Sequence, residues 1–431
     1  MPSTTLTGVT AHWHPFQDMS APLEPLVLTD GEGVRMTARG GRRYLDATAG
    51  LWFCHAGYGR REIADAVHAQ LLRMHAYSTF GDYSNEPAEQ LAQRLSDLAP
   101  GGPWKVLYTS GGSDSVETAV KYARRYWSLL GHSERTVILS RQDSYHGMHA
   151  AATGISGIPA NRAGYGTLLP DHRLIARDDA QALEDAITEH GAERIAAFVC
   201  EPIIGAGGVR FPPPGYLTAV AEICRRHDVL FIVDEVTTGL GRTGTWFASE
   251  AFGLEPDLLL CAKGLTSGYM PLGAALVHHR RTAPFWDGGE VLRHGYTYSG
   301  HAAAAAGALA NLDYLTDHGL LAAARRIGDR LPLLLGDLAG QGVVRSVRTG
   351  PAALAGVQID ERLVAKDPSL VPRAVRAVRE AGVLTRGLAC GALQISPALC
   401  ITDEELEALA AGVRKGLKSL GRPRGRRRPG R

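Results

Sequence analysis

Apolar runs alternate with amphipathic stretches between about residue 60 and residue 310 of this chain. The amphipathic stretches place apolar residues three or four positions apart, as on one face of a helix. The apolar runs are short, as expected for buried strands, and lie at 105–108, 136–139, 195–199, 229–233, 257–261 and 273–277. This alternation predicts an α/β protein with a mostly parallel sheet that is covered by helices.

The two ends of the chain differ from this central region. Residues 1–50 are rich in Pro, Gly and Thr, and beyond about residue 315 helical segments surround short strands. Candidate strands at the two ends are 33–37, 43–46, 353–359, 382–384 and 392–395. We therefore predict a large α/β domain over 61–315, and a smaller α+β domain that residues 1–60 and 316–420 form together.

The composition is that of an ordinary soluble globular protein, with 45% apolar and 21% charged residues in a chain of 431. The net charge of +2 is unevenly distributed, because residues 421–431 carry six arginines and no acid, and without these six charges the remainder nets −4. This tail has no apolar residue to bury, so we predict that it is disordered. Binding of the tail to nucleic acid is the less favoured interpretation.

The cysteines and apolar runs bear on where the protein resides. The six cysteines show no CxxC spacing and are too sparse for a disulfide framework, which predicts reduced thiols in a cytoplasmic protein. The N-terminus shows no charged segment followed by an apolar stretch, which argues against a secretory signal. No apolar run approaches the ~20 residues that a membrane span needs. We expect neither a membrane segment nor a metal site.

Three of the predicted strands end next to residues that can do chemistry. Glu201 follows the run 195–199, Asp234 follows 229–233, and Lys263 comes directly after 257–261 and one alanine. In open α/β sheets the carboxyl edge of the strands is where ligands bind. A lysine held among apolar residues can have a lowered pKa and attack a carbonyl as a neutral amine. This arrangement favours imine chemistry, with pyridoxal phosphate as the carbonyl compound.

A glycine turn offers a place for a phosphate group. Residues 108–117 follow a predicted strand and open a helix, and Gly111 and Gly112 would leave backbone N–H groups open to an anion. Ser113 is the predicted N-cap of this helix. The predicted buried face of the helix consists of Val116, Ala119, Val120, Ala123 and Trp127. The turn is neither a Walker A loop nor a dinucleotide motif, and a purely structural cap is the alternative.

Longer motifs extend this interpretation. The most specific are 234–244 (Asp-Glu-Val-Thr-Thr-Gly-Leu-Gly-Arg-Thr-Gly) and 263–273 (Lys-Gly-Leu-Thr-Ser-Gly-Tyr-Met-Pro-Leu-Gly), supported by 144–147, 201–208 and 294–301. Together they resemble the class III aminotransferases, which are pyridoxal phosphate enzymes of fold type I. The resemblance runs from about residue 10 to residue 415. It implies a seven-stranded, mostly parallel sheet in a cofactor-binding large domain, and a transaminase activity.

The resemblance implies chemical roles for four residues. Lys263 would form an imine with the cofactor and, once an incoming amine releases it, carry a proton between the substrate Cα and the cofactor C4′. Asp234 would pair with the pyridine nitrogen and keep it protonated, so that the ring withdraws electrons. Tyr145 and Val236 would pack on opposite faces of the ring. Taken alone, Asp234 could cap a helix, and Tyr145 and Val236 could be plain core residues.

The phosphate site is implied to be shared between subunits. Gly112 and Ser113 would bind the phosphate, and Thr297 of a neighbouring subunit would complete its site. The protein would then be a homodimer or a dimer of dimers. His146 and Glu201, from the supporting motifs, are also assigned to cofactor binding. Without its motif, Thr297 could be a loop hydroxyl that faces water.

The chain departs from the family pattern at four positions. Thr237 stands where many members have Gln, whose amide reaches the ring oxygen of the cofactor, and the shorter threonine is not assigned this contact. Ile204 replaces a frequent Gln, Ala302 replaces a frequent Pro, and Gly111 replaces the usual Ser or Thr. None of the four is a predicted catalytic residue.

Three further motifs resemble the ω-amino acid:pyruvate (ω-transaminase) branch of the family. They are 12–16 (His-Trp-His-Pro-Phe), 50–53 (Gly-Leu-Trp-Phe) and 385–386 (Thr-Arg). The resemblance places Trp52 and Tyr145 in the substrate pocket and lets Arg386 bind a substrate carboxylate, which suits an arginine fork. Core packing of Trp52 and a surface ion pair at Arg386 are the alternatives.

The sequence therefore predicts transfer of an amino group from an ω-amino acid or amine to pyruvate or a similar 2-oxo acid. Two ping-pong half-reactions are expected. Alternatives within the family are adenosylmethionine–diaminononanoate, 4-aminobutyrate and acetylornithine-type transaminases, or an aminomutase. An alternative of another class is a non-catalytic protein whose basic tail binds nucleic acid, which the intact Lys263 and Asp234 disfavour.

Overall fold

The computed structural model describes residues 11–20 and 25–420. The predicted disorder of the basic tail at 421–431 lies outside the described residues, as do the first ten residues of the predicted N-terminal segment. The strands of the described chain are β1 Leu28–Glu32, β2 Arg35–Ala38, β3 Arg43–Asp46, β4 Trp104–Thr109, β5 Val137–Arg141, β6 His172–Ile175, β7 Ile195–Cys200, β8 Leu230–Asp234, β9 Leu258–Cys261, β10 Gly273–His278, β11 Val344–Thr349, β12 Ala355–Ile359, β13 Val383–Leu384 and β14 Ala392–Ile395.

Helices cover these strands. They are α1 Ala49–Trp52, α2 Arg61–Met74, α3 Glu86–Leu98, α4 Gly112–Leu129, α5 Ala150–Ile155, α6 Pro159–Arg162, α7 Gln181–His190, α8 Tyr216–Arg226, α9 Ala248–Ala251, α10 Ala283–Trp286, α11 Ala302–Asp317, α12 Leu320–Leu335, α13 Glu361–Lys366, α14 Leu370–Glu380 and α15 Asp403–Leu420. The predicted buried face of α4 is confirmed, since all five of its apolar side chains are buried. No helix within the described ranges is both long and apolar enough to cross a membrane.

The central sheet has seven strands in the order β4-β10-β9-β8-β7-β5-β6. Its strands pair in parallel except β10, which is antiparallel to both β4 and β9. The predicted seven-stranded, mostly parallel sheet is therefore confirmed, and each of the six predicted apolar runs forms one of its strands. The seventh, β6, was not predicted, because its four residues, His-Arg-Leu-Ile, include two polar ones.

Apolar side chains on both faces of this sheet form the core around the site. Strands β7, β8 and β9 are buried at every residue, as a parallel sheet covered on both faces requires. Because these three strands run in the same direction, their carboxyl ends meet at one edge of the sheet. Glu201, Asp234 and Lys263 are thereby brought to the same end of the fold.

Two smaller sheets lie outside the central one. In the sheet β1-β2-β3-β13, strand β13 from the C-terminal part of the chain pairs in parallel with β3 from the N-terminal part. The third sheet has the order β11-β12-β14. This pairing of the two chain ends supports the proposed α+β domain, but the proposed boundary at 315 falls inside α11, two residues before its end.

All six cysteines lie in the described part of the chain, where they are free thiols. Four of them, Cys54, Cys200, Cys224 and Cys261, are buried. Burial raises the pKa of the Cys200 thiol to about 11 and that of Cys261 to about 12. These thiols are therefore neutral packing groups.

Candidate active site

A cleft of about 1010 Å³ opens at the carboxyl edge of the parallel strands. Most of the predicted site residues line it, namely Trp52, Gly112, Ser113, Tyr145, His146, Asp234, Val236, Lys263 and Arg386. Glu201 and Thr297 are not among the lining residues. The fold thus gathers nine of the eleven predicted residues around one cavity.

Lys263 follows β9 and starts a short 3-10 turn, Lys263–Leu265. Its backbone is left-handed, with φ of 42°, which is uncommon for a residue other than glycine. Gly264 is required by close packing, because a Cβ there would lie 2.2 Å from the His55 ring. Lys263 Nζ donates a hydrogen bond to Thr237 Oγ1 over 3.0 Å.

Burial lowers the pKa of the Lys263 amine below its ordinary value. The negative charges of Asp234 and Glu201 act in the opposite direction, and the positive charge of Arg386 adds to the lowering. Desolvation is the largest of these effects because it disfavours the charged ammonium. The result is an amine that becomes a neutral nucleophile at a lower pH than a lysine in water.

Asp234 ends β8 and is buried. Its Oδ2 lies 2.8 Å from His146 Nδ1, and its Oδ1 accepts a hydrogen bond from Val236 N over 3.1 Å. Among the described residues, His146 Nε2 is buried and has no hydrogen-bond partner. Two separate groups therefore hold the carboxylate in one orientation at the cleft.

The N-terminus of α4 forms another wall of the cleft. By helix geometry, the first amide groups of α4 have no acceptor within the helix, so they are available to an anion. A Cβ at Gly112 would lie 2.7 Å from Val236 Cγ1, so only glycine permits this close approach. The eighteen-residue helix therefore presents backbone donors directly beside Val236.

The predicted N-cap role of Ser113 is wrong. Helix α4 begins at Gly112, and Gly111, in an extended conformation with φ of 173°, occupies the N-cap position. Since the helix starts earlier than predicted, Ser113 lies within its first turn. The Ser113 hydroxyl instead accepts a hydrogen bond from Met148 N over 3.1 Å.

Glu201 supports the cleft from behind. Its carboxylate accepts hydrogen bonds from the backbone N–H groups of Tyr145 and Gly205, each over 2.9 Å. Burial raises the pKa of Glu201 above its ordinary value. Because this side chain does not line the cleft, its geometry fits a residue that holds Tyr145, and its assignment to cofactor binding stays a prediction.

Trp52 and Arg386 lie together on one side of the cleft. Trp52 is 3% exposed and is therefore tightly packed, and it also lines the cleft. The Arg386 guanidinium carbon lies 5.2 Å from the centre of the Trp52 ring, and Lys263 Nζ lies 5.6 Å from it. Burial lowers the pKa of Arg386, which nonetheless stays charged in proteins. The ring thus lies within reach of both cations.

Thr297 is exposed and does not line the cleft of its own chain. Its neighbours fix the loop beside α4, since the Tyr296 hydroxyl donates to the Asp114 carbonyl over 3.1 Å. The Ser299 hydroxyl donates to the Tyr108 carbonyl over 2.9 Å. The loop that carries Thr297 is therefore held in place while Thr297 itself faces outwards.

Several lining residues were not predicted as site residues. They include Phe16, Leu51, Phe53, Ile158, Thr237, Met270 and Ala389. Phe16, Leu51 and Phe53 belong to, or lie within, motifs that carried the resemblance, and this was a usable signal for them. Thr237 and Met270 lie within the motifs 234–244 and 263–273, so the same signal was available for them.

These side chains fit pyridoxal phosphate. Lys263 offers a partly desolvated amine for the aldehyde, and Asp234 offers a buried carboxylate for the ring nitrogen. The α4 N-terminus offers backbone donors for the phosphate, and Gly111 and Gly112 carry no side chain that would cover them. Each part of the cofactor therefore has a chemically matched group in one cleft.

Comparisons with known proteins agree with this chemistry. The family model "Aminotransferase class-III" matches residues 17–417. The chain is 34% identical to the beta-alanine–pyruvate aminotransferase of Pseudomonas aeruginosa, over 97% of this chain and 98% of that protein. It is 34% identical to the diaminobutyrate–2-oxoglutarate transaminase of Halomonas elongata, over 91% of this chain and 90% of that protein.

A solved structure is similar over almost the whole fold. It is the crystal structure of a thermostable (S)-enantioselective omega-transaminase from Thermomicrobium roseum. The TM-score is 0.91 at 38% identity, and the match covers 95% of this chain and 96% of that chain.

Proposed function

Since this chain belongs to the class-III aminotransferases, whose cofactor is pyridoxal phosphate, we propose that it moves an amino group from an ω-amino acid or amine donor to pyruvate or a similar 2-oxo acid. The observation that carries this proposal is the shared cleft of Lys263, Asp234 and Arg386. It combines an amine, an acid and a carboxylate-binding cation. The pyruvate-dependent relative and the omega-transaminase structure support the same branch.

Each predicted cofactor residue keeps a role in this proposal. When bound, pyridoxal phosphate supplies an electron sink that makes the substrate Cα–H acidic. Asp234 would hold a proton on the ring nitrogen, with His146 keeping the carboxylate oriented. The backbone of Gly112 and Ser113 would bind the phosphate. Tyr145 and Val236 would press on the two ring faces, and Glu201 would hold Tyr145 in place.

Lys263 would serve both as the anchor of the cofactor and as the proton carrier. Its Nζ would hold the cofactor until an incoming amine displaces it, and would then accept the proton from the substrate Cα. The same nitrogen then returns the proton at the other end of the reacting system. The lowered pKa of Lys263 favours this exchange near neutral pH, because the amine can lose its proton there.

The charge of the cleft favours an acceptor with one carboxylate. Among the described residues that line it, Arg386 is the one arginine, and Lys263 is the one lysine. A guanidinium binds one planar carboxylate through two parallel hydrogen bonds. Pyruvate fits this single fork, whereas the second carboxylate of 2-oxoglutarate would need another cation. Donor and acceptor would occupy this one cleft in turn, which gives a ping-pong order.

We also propose a homodimer with shared sites. Tyr77, Phe80, Tyr83 and Tyr298 are each more than half exposed, a high exposure for aromatic side chains. Segments 77–83 and 294–300 pack together, since Thr79 Oγ1 donates to the Ser299 carbonyl over 3.0 Å. A second copy on this surface would bring the outward-facing Thr297 to a neighbouring phosphate site.

The free thiols fit the reducing conditions of the cytoplasm, which we keep as the proposed location.

A donor panel tests this function. Purified protein is mixed with ω-amino acids, diamines and uncharged amines, and the loss of cofactor absorbance is followed before pyruvate or 2-oxoglutarate is added. We expect several amines to bleach the absorbance and pyruvate to restore it faster than 2-oxoglutarate does. Lys263→Ala should show neither change. A wild-type protein that no amine bleaches would refute the function, and faster recovery with 2-oxoglutarate would refute the acceptor.

A further inference from the structure

Thr237, one of the departures from the family pattern, lies on the wall of the cleft with its hydroxyl against the reactive lysine. It is 7% exposed, and its Oγ1 accepts the hydrogen bond from Lys263 Nζ. Among the described residues, no other acceptor lies within hydrogen-bond distance of that nitrogen. The Thr237 methyl group faces Gly205, where an added Cβ would lie 3.1 Å from Thr237 Cγ2. The side chain therefore has little freedom to turn away.

The backbone around Thr237 is held on both sides. On one side, Val236 N donates to Asp234 Oδ1 over 3.1 Å. On the other side, the fully buried Glu235 carboxylate accepts hydrogen bonds from Ala248 N over 2.6 Å and from Ser249 N over 2.7 Å. The turn 234–238 is thus anchored by two carboxylates of its own. Its one hydroxyl that points at Lys263 has a fixed place in the cleft.

Lys263 needs an external anchor because its stem is flexible. The left-handed backbone fixes where the side chain starts, but four methylene groups separate Cα from Nζ. A hydroxyl suits both protonation states of the amine, since it can accept from the ammonium and donate to the neutral nitrogen. Valine at the same place has nearly the same shape and can do neither.

We propose that Thr237 is a positioning residue that holds the Lys263 amine whenever that amine is free, and so directs it at the substrate Cα. This inference rests on the proposed transaminase function. It assigns to Thr237 a part of the proton transfer that the motif comparison left unassigned. Thr237 acts through Lys263, and Asp234 and Arg386 are not involved.

Three variants separate the hydroxyl from the shape of the side chain. Thr237→Val removes the hydroxyl at nearly constant volume, and Thr237→Ser keeps the hydroxyl. Thr238→Val is the matched control, because the neighbouring hydroxyl bonds to Glu235 instead of Lys263. If valine crowds Gly205 and prevents folding, Thr237→Ala removes the same hydroxyl with less bulk.

The first measurement needs no turnover. Full-length apoprotein is mixed with pyridoxal phosphate over a range of pH, and the rate of cofactor uptake is followed by visible absorbance. Uptake requires the neutral amine, and a hydrogen bond to the ammonium favours the charged form. Thr237→Val should therefore shift the pH midpoint of uptake down by about 0.5–1 unit, whereas Thr237→Ser and Thr238→Val should keep the wild-type midpoint.

The second measurement is the half-reaction of the holoenzyme with a saturating amine donor. Thr237→Val should slow it about tenfold with little change in donor KM, because only the direction of the amine is lost. Thr237→Ser should restore most of the rate. Wild-type behaviour of Thr237→Val in both measurements would overturn the inference, as would equal losses in the serine variant or the same midpoint shift in Thr238→Val. A wild-type protein that neither binds the cofactor nor reacts with any amine would instead overturn the proposed function.

Discussion

At the scale of single residues, the site depends on groups whose ionisation is set by burial. Lys263 carries an amine with a lowered pKa on a left-handed backbone that costs on the order of 1–3 kcal/mol. Asp234, at the end of the neighbouring strand β8, is fixed by His146 at 2.8 Å. A strained backbone persists only where its surroundings hold it, and here these are Gly264 and the His55 ring. The strain therefore coincides with the proposed chemistry.

Arg386 offers a test of how the cleft selects its acceptor. Arg386→Ala should lower kcat/KM for pyruvate roughly 10- to 100-fold, because a charge-assisted pair of hydrogen bonds to the carboxylate is lost. The half-reaction with an uncharged amine should change little. The measurement is the rate of absorbance change in each half-reaction taken separately.

A second arginine supplies the control for this prediction. Arg376 lies on α14, is exposed and makes no ion pair among the described residues, so Arg376→Ala should leave both half-reactions unchanged. Equal losses for pyruvate and for the uncharged amine in Arg386→Ala would argue against a carboxylate-binding role.

At the scale of elements, strand β6 shows that a polar residue can be part of a buried sheet. His172 opens this strand, is buried, and lies 2.8 Å from the Ser140 hydroxyl of β5 through its Nε2. Burial lowers the pKa of His172 to about 3, and the nearby positive charge of Arg162 adds to the effect. The imidazole is therefore a neutral hydrogen-bonding group that joins β5 to the edge of the sheet.

This histidine makes stability depend on pH in a defined direction. In the unfolded chain His172 takes up a proton below about pH 6.5, but in the folded chain it does so only near pH 3. The contribution of neutral His172 to the free energy of unfolding is thus complete above pH 6.5 and is lost as the pH falls towards 3. At pH 5 the loss is at most about 2 kcal/mol.

His172→Gln keeps a side-chain N–H near Ser140 and cannot titrate. From about pH 7.5 to about pH 5, the melting temperature of this variant should therefore fall less than that of the wild type. Scanning calorimetry at both pH values measures the difference. His68→Gln is the control, since His68 is exposed on α2. An unchanged pH dependence in His172→Gln would show that this group is not responsible.

At the scale of the whole molecule, we propose that a second chain completes the site. Lys263 and Asp234 line the cleft, whereas Thr297 faces away from it on a loop that is fixed beside the start of α4. The exposed aromatic side chains near Thr297 leave an apolar surface for a second copy to cover. Activity and assembly should consequently be coupled.

Mixing two defective variants tests the shared site. Lys263→Ala alone and Thr297→Asp alone should be nearly inactive, the second because its carboxylate repels the phosphate. After subunit exchange, about half the dimers are mixed and each has one intact site, so about a quarter of the wild-type activity should return.

The control mixture is Lys263→Ala with Asp234→Asn. Both residues belong to the same chain's cleft, so each site of a mixed dimer keeps one defect and no activity should return. Mixed dimers of the first pair that form but stay inactive would rule out a shared site.

Local pattern was sufficient for much of the fold and for the chemical centre. The apolar runs that became β7, β8 and β9 were readable because strands buried on both faces need apolar residues throughout. Asp234 and Lys263 were readable because the carboxyl ends of parallel strands meet at one edge. Strand β1, with the polar sequence Leu-Thr-Asp-Gly-Glu, and strand β6 were missed because their place in a sheet depends on their neighbours.

The amino-acid sequence by itself determined the alternation of strands and helices, the family, and the residues that meet at the sheet edge, because these follow from spacing along the chain. Only the tertiary structure decided that α4 begins at Gly112, that Glu201 lies behind the cleft, and that Thr237 contacts the lysine. The positions of Glu201 and Thr237 depend on distances between segments that are separated in sequence. Such distances are set by packing, which no local pattern records.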